Sequence, residues 1–317
     1  MVGPPPPTWA IDPAAARAFE VVPGLWQLRL PTPWEHMSHV NAFAIDHADG
    51  GIVLVDTGGA GHPSAWETFE HVLGLAGRSV SEIREIVVTH FHSDHVGLAG
   101  PLAAESGATV WALPAREHLF DAIEEPDAVY ARRLAFARAE GVPEGWQDAV
   151  ASIAEELDGV EAVPHGDREL VDGVTVDTAL GAFQVIETPG HAPSHVVLYQ
   201  PERRLLFSAD LVSPVFTTYG DWGYSEDPIG EYRAALERVA ELDVALALPG
   251  HGRPTEHLSD LLDLYRTGFE QRLAAVTSAR GNGAWAVSQE AFEPPAFPPV
   301  AVWNFYEAAG YLTHAAG

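Results

Sequence analysis

An α/β fold with a helical insertion and a helical C-terminal appendage is what this 317-residue sequence predicts. Three observations carry that expectation. Short apolar runs alternate with amphipathic helical stretches in two separate parts of the chain, the strand signal vanishes between residues 113 and 157, and the pattern after Gly252 is helical. A hydrophobic content of 47% with 20% charged residues belongs to a globular chain rather than a disordered one.

Residues 1–20, with Pro4 to Pro7, read as a loose leader, 21–254 as the main domain with its insertion at 113–160, and 255–317 as the appendage. Residues 25–30 (LWQLRL), 40–45 (VNAFAI) and 51–56 (GIVLVD) are short alternating or continuously apolar runs between turn residues, hence strands. Residues 64–75 read as a helix with Ser64 as its N-cap and Trp66, Phe69 and Leu73 on one face. A strand at 86–89, a helix at 96–105 and a strand at 109–112 follow. The insertion carries helical stretches at 115–123, 127–140 and 146–157, broken at Pro126 and at Gly141 to Pro143. Strands return at 173–176, 183–188, 196–200 and 205–208, then a helix at 229–242 and a buried strand at 244–248. The appendage reads as a helix over 255–279, a Pro-rich stretch and a closing helix near 302–311.

Composition removes several function classes. Cysteine is absent, so disulfides, thiolate metal sites and thiol nucleophiles are excluded, and any metal must sit on His and carboxylate. The formal charge is −28 and there is no lysine, which weighs against a nucleic-acid partner held by phosphate contacts. No run of about 18 apolar residues offers a membrane span, and the start MVGPPPPTWA lacks the basic and apolar regions of a signal peptide, so a cytoplasmic location is expected.

The chemistry concentrates at strand ends. Thr89-His90-Phe91-His92-Ser93-Asp94-His95 is an H-x-H-x-D-H array directly after an apolar strand. Imidazole and carboxylate at this spacing let one loop supply two adjacent ions. Three further strands end in ligand-type residues: Thr188-Pro189-Gly190-His191, Ser208-Ala209-Asp210 and Leu248-Pro249-Gly250-His251-Gly252. Each alone reads as a capped turn; together they converge as sites at strand ends do in open α/β sheets.

With these residues, and with Leu54-Val55-Asp56-Thr57-Gly58 before the array, residues 25–252 resemble the metallo-β-lactamase-fold hydrolases. The resemblance implies an αββα sandwich, the insertion as a lid, and a helical or winged-helix-like appendage of the kind found in a beta-lactamase-like bacterial branch. It implies two divalent metal ions, zinc first, with iron or manganese as alternatives. His90, His92 and His191 would hold the first ion, Asp94, His95 and His251 the second, and Asp210 would bridge them. Asp56 would orient a ligand, although alone it reads equally as a turn carboxylate. A bridging Asp resembles the branch of glyoxalase II-like thioesterases, lactonases and several nucleases, whereas true metallo-β-lactamases generally carry Cys or Ser there. Lactonases typically place Tyr three residues past that Asp, where this chain has Ser213.

The expected reaction is hydrolysis of an ester-like bond, a thioester first, in a small-molecule acyl substrate, with Asp94 and Asp210 catalytic. Lactone or β-lactam hydrolysis, phosphodiester cleavage and a non-hydrolytic di-iron module are the alternatives. Candidate substrate contacts are Trp34 and Met37 on an early loop, Arg132 on the insertion as a partner for a carboxylate or phosphate, and Tyr219, Tyr224 or His195 as oxyanion donors. Arg132, with Arg133 and Arg138, reads equally as part of a solvated helix face. A homodimer is expected if the tail leaves an apolar face exposed.

Overall fold

The computed structural model describes residues 16–317 except 33, 35, 36, 158, 161, 215–217, 219, 296 and 297. One sheet of seven strands runs in chain order: β1 (Arg17–Val22), β2 (Leu25–Pro31), β3 (His39–Asp46), β4 (Ile52–Val55), β5 (Ile83–Val87), β6 (Thr109–Ala112) and β7 (Arg168–Glu169). Pairing is antiparallel through β4 and parallel from β4 to β7. The second sheet holds β8 (Thr175–Thr178), β9 (Gly181–Glu187), β10 (Val196–Gln200), β11 (Leu205–Ala209) and β12 (Leu246–Pro249) in the order β12-β11-β10-β9-β8.

The sheets pack face to face. Phe43, Val55 and Val87 of the first meet Phe183, Phe207 and Leu248 of the second, with the Phe43 and Phe207 rings edge-on at 5.0 Å. Alternate residues of the same strands, Leu54 and Ile86, turn outward onto Phe69, Leu73 and Leu102. Burial on both faces explains why these strands are continuously apolar. The outer layer of the first sheet is α1 (Ala65–Leu75), α2 (Ser93–Val96) and α3 (Ala99–Ser106).

Between β6 and β7 stands the helical insertion: α4 (Glu117–Glu124), α5 (Pro126–Ala139), α6 (Glu144–Ala151) and α7 (Ala154–Leu157). The second sheet is covered by α8 (Pro228–Ala240), α9 (Leu258–Ser278) and the later helices α10 (Ala284–Ala291) and α11 (Pro298–Ala316), through Tyr232, Leu236, Phe269 and Tyr311. The layering is αββα.

Three expectations change. The leader is shorter than 1–20, because Arg17–Val22 pairs with β2 across Gly24. It escaped notice because an edge strand carries half-exposed residues rather than a clean alternation. From Leu258 onward the described residues form helices and no strand, so the appendage is helical without a wing. Ser64 does precede α1, but it makes no cap bond; its hydroxyl donates to His62 Nδ1 at 2.7 Å instead.

The insertion is fastened to the appendage. Phe136 approaches Phe305 at 5.5 Å and stacks at 4.1 Å on Trp222 of the loop before α8, and Trp146 meets Trp285 at 5.5 Å. Tyr306 Oη donates to the Val150 carbonyl at 2.7 Å, and the Ala284 N–H donates to Glu140 Oε2 at 2.8 Å. Phe305, fully buried at this seam, is expected to cost about 3–5 kcal/mol when replaced by Ala. Urea denaturation reads that cost, and an unchanged midpoint would show that the seam does not hold the insertion. Among the described residues no helix is long and apolar enough to cross a membrane.

Candidate metal centre

The loops leaving β4, β5, β9, β11 and β12 converge at one edge of the sandwich. Three groups of ligand atoms, each within 4.8 Å of one another, form there: His90, His92 and His191; His90, His95 and Asp210; Asp94, His95 and His251. All seven predicted ligands are therefore brought together. The Asp210 carboxylate stands between the sets, with Oδ2 at 3.7 Å from His191 Nε2 and 3.1 Å from His251 Nε2 and Oδ1 at 3.4 Å from His95 Nε2.

Local backbone aims these groups. Asp56 and Ala209, at the exits of β4 and β11, adopt φ of 58° and 42°, a left-handed conformation that costs a non-glycine residue about 1–2 kcal/mol. Bonds to the neighbouring loops offset this. Asp56 Oδ1 accepts from the Thr89 N–H and Oδ2 from Thr89 Oγ1, both at 2.8 Å. Gly250, whose N–H donates to the Ala209 carbonyl at 2.8 Å, lies so close to the ligands that a Cβ there would fall 2.1 Å from Asp210 Oδ1.

For four of the ligand rings a partner on the far nitrogen sets the orientation. His95 Nδ1–H donates to Asp56 Oδ2 at 2.8 Å. His90 Nδ1–H donates to Thr89 Oγ1 at 3.0 Å, the hydroxyl proton being already given to Asp56. His251 Nδ1–H donates to the His39 carbonyl at 2.8 Å, and His92 Nε2–H donates to Asp221 Oδ2 at 3.0 Å. These bonds turn Nε2 of His90, His95 and His251, and Nδ1 of His92, inward, toward one another and toward the Asp94 and Asp210 carboxylates.

That inward face suits cations. His90 Nε2 and His92 Nδ1 lie 3.1 Å apart, close enough to share either a proton or a metal ion. Asp94 Oδ2, His95 Nε2 and Asp210 Oδ1 are buried with no hydrogen-bond partner, which is costly unless an ion completes them. The charge balance shows the same competition. Burial holds His191 down at about 4; burial also acts to lower His251, but Asp210 and Asp94 outweigh it and raise it to about 10. Burial works to raise Asp210, yet His251 and His95 keep it well below the usual carboxylate range.

The family model for the metallo-beta-lactamase superfamily matches residues 38–251. The chain belongs to that superfamily. It is 24% identical over 303 residues to "Probable metallo-hydrolase YqjP" of Bacillus subtilis, a match covering 90% of each chain. It is 24% identical to the hydroxyacylglutathione hydrolase GloC of Haemophilus influenzae over 57% of this chain and 78% of that one. The crystal structure of a metallo-beta-lactamase family protein from Thermus thermophilus superposes with a TM-score of 0.80 at 27% identity, covering 93% of this chain and 94% of that one. The protein is a metallo-hydrolase of this superfamily, and its His/Asp cluster is suited to divalent metal.

The candidate substrate residues fare unequally. His195 is not an oxyanion donor: it is fully buried, its Nε2 accepts from the Asp210 N–H at 3.1 Å, and its Nδ1–H donates to Thr188 Oγ1 at 2.8 Å. It positions Asp210 from behind, which its place four residues after His191 did not reveal. Tyr224 stands at the rim, edge-on to His118 at 6.2 Å, and accepts from Arg132 Nη2 at 2.8 Å. Arg133 instead ties the insertion together by donating to the Ser152 carbonyl at 2.8 Å, and Arg138 by donating to Gln147 Oε1 at 3.1 Å. Trp34 and Met37 are half-buried on the loop leading to His39, and Tyr219 lies outside the described residues.

Sequence reasoning missed a second layer. Gln27 and Asn41, both buried, clasp the loop that carries His251: Asn41 Nδ2 donates to the Pro249 carbonyl at 2.9 Å and the Gly252 carbonyl at 3.0 Å. Gln27 Nε2 donates to Asn41 Oδ1 at 2.8 Å and to the Gly252 carbonyl at 3.1 Å. Two buried amides in strands that otherwise read as apolar were the available signal.

Proposed function

We propose that this chain hydrolyses a thioester of a small acyl carrier, using two zinc ions held by the seven ligands. The observation that carries the reading is the carboxylate of Asp210 set between the two histidine groups, at 3.1 Å from His251 Nε2 and 3.7 Å from His191 Nε2. The relative named for hydroxyacylglutathione supports it, as does the absence of lysine, which disfavours a polyanionic nucleic-acid substrate. Bound divalent ions supply hydroxide near neutral pH and a Lewis-acidic position for a carbonyl oxygen. Asp94, whose Oδ2 is buried and 3.3 Å from His251 Nε2, accepts a hydrogen bond from the attacking water and orients it toward the carbonyl. Arg132 and Tyr224 at the rim recognise an anionic group of the carrier, and Trp34 and Met37 line the acyl side.

The test is the initial rate of the zinc-loaded protein on a short-chain acyl-CoA and on an S-acylglutathione. Turnover of one of them is expected, with Arg132→Ala raising KM about fivefold, the worth of one partly exposed charge contact, and leaving kcat nearly unchanged. Zinc-bound protein that cleaves neither compound would overturn the thioester reading and leave the metal centre standing.

A further inference from the structure

Asp221 is drawn from a loop without a recognisable motif, yet its carboxylate is buried, at 7% exposure, beneath the metal centre. A buried carboxylate is unfavourable unless paired, and this one is clasped by two imidazoles. His92 Nε2 lies 3.0 Å from Asp221 Oδ2, and His118 Nε2 lies 3.8 Å from the same oxygen. His118 belongs to α4 of the insertion and is itself 4% exposed. Its Nε2 also lies 3.3 Å from Ser194 Oγ, which accepts from the N–H of Phe91, the residue between His90 and His92, at 3.0 Å. The insertion thus reaches both the ring and the backbone of the loop that supplies the first ligand set.

We propose that Asp221, and behind it His118, are positioning residues for the first metal position: they hold His92 with Nδ1 turned into the site, and so tie occupancy of that position to the helical insertion. Without the Asp221 acceptor, the His92 ring loses the bond that turns Nδ1 into the site, while the Asp94, His95 and His251 set keeps its own supports at Asp56 and at the His39 carbonyl. The effect is therefore confined to one of the two ions. It depends on metal binding by the cluster and not on the identity of the substrate.

Zinc titration of the full chain against a chromophoric chelator tests this, with cobalt absorption spectra as a second readout. Asp221→Ala is expected to weaken one zinc equivalent by about 10–100-fold, the usual effect of removing a partner of a metal-bound histidine, and to leave the other unchanged. Asp221→Asn, which keeps the size and one acceptor oxygen but loses the charge that strengthens the bond to His92, should weaken the same equivalent to a smaller but measurable extent, and His118→Ala should likewise show a smaller loss there. In a His251→Ala chain, which retains the His90, His92 and His191 set, Asp221→Ala should weaken the remaining equivalent. Wild-type affinity for both equivalents in a folded Asp221→Ala chain would overturn the proposal. Should that variant not fold, unchanged zinc affinity and an unchanged cobalt spectrum in Asp221→Asn would overturn it equally. A wild-type chain that binds no zinc would instead remove the metal centre itself, and this proposal with it.

Discussion

Asp210→Ala should lower kcat/KM for any hydrolysed substrate by about a thousandfold or more, on the order of 4 kcal/mol of transition-state stabilisation. The size of the effect follows from the position of one side chain. Asp210 places Oδ1 at 3.4 Å from His95 Nε2 and Oδ2 at 3.1 Å from His251 Nε2, with His191 Nε2 at 3.7 Å. No other carboxylate among the candidate ligands faces both histidine groups, so its removal takes the shared anion from both metal positions at once. Asp210→Asn keeps the shape and loses the charge, and should fall nearly as far. The measurement is steady-state hydrolysis alongside far-UV circular dichroism. A folded variant within tenfold of wild type would show that Asp210 does not join the two sets.

Gly250→Ala should cost about a hundredfold in activity, although the change adds one methyl group. The added Cβ would stand 2.1 Å from Asp210 Oδ1 and 2.7 Å from His95 Cε1, closer than non-bonded atoms approach. The loop has little freedom to yield, because the Gly250 carbonyl accepts from the Asn41 N–H at 2.7 Å and the Gly250 N–H is bonded to Ala209. The strain therefore falls on the carboxylate, and a displacement of about 1 Å in a catalytic group is enough for a loss of that size. Metal content and rate should fall together. Activity equal to wild type would mean that the loop moves aside without disturbing the ligands.

The seven ligands were legible because their spacing is dictated by chemistry: a loop that must serve two ions repeats His, His, Asp, His at fixed steps after a strand, and Gly precedes His at two other strand exits. The αββα layers were legible for a related reason, since strands such as Ile52–Val55 are buried on both faces and show it as unbroken apolar runs. What supports the ligands was not legible. Asp221, His118 and His195 act through contacts between residues distant in the chain, and nothing in their local sequence distinguishes a buried acid or imidazole from an exposed one. The edges of the first sheet were missed for a simpler cause: Arg17–Val22 is half-exposed, and Arg168–Glu169 is a two-residue strand with both side chains exposed. The single helix expected at 96–105 proves to be two, Ser93–Val96, which carries Asp94 and His95, and Ala99–Ser106, with Leu98 leaving helical geometry between them at φ −95° and ψ 2°.

The most direct measurement is the metal content of the 317-residue chain after equilibration with zinc and removal of the excess, beside the same measurement on His251→Ala. The structure predicts about two ions per wild-type chain and about one in the variant, because His90, His92 and His191 remain assembled without His251. Fewer than one ion bound to the wild-type chain, with manganese and iron tried in place of zinc, would contradict the metal centre on which the hydrolytic reading stands.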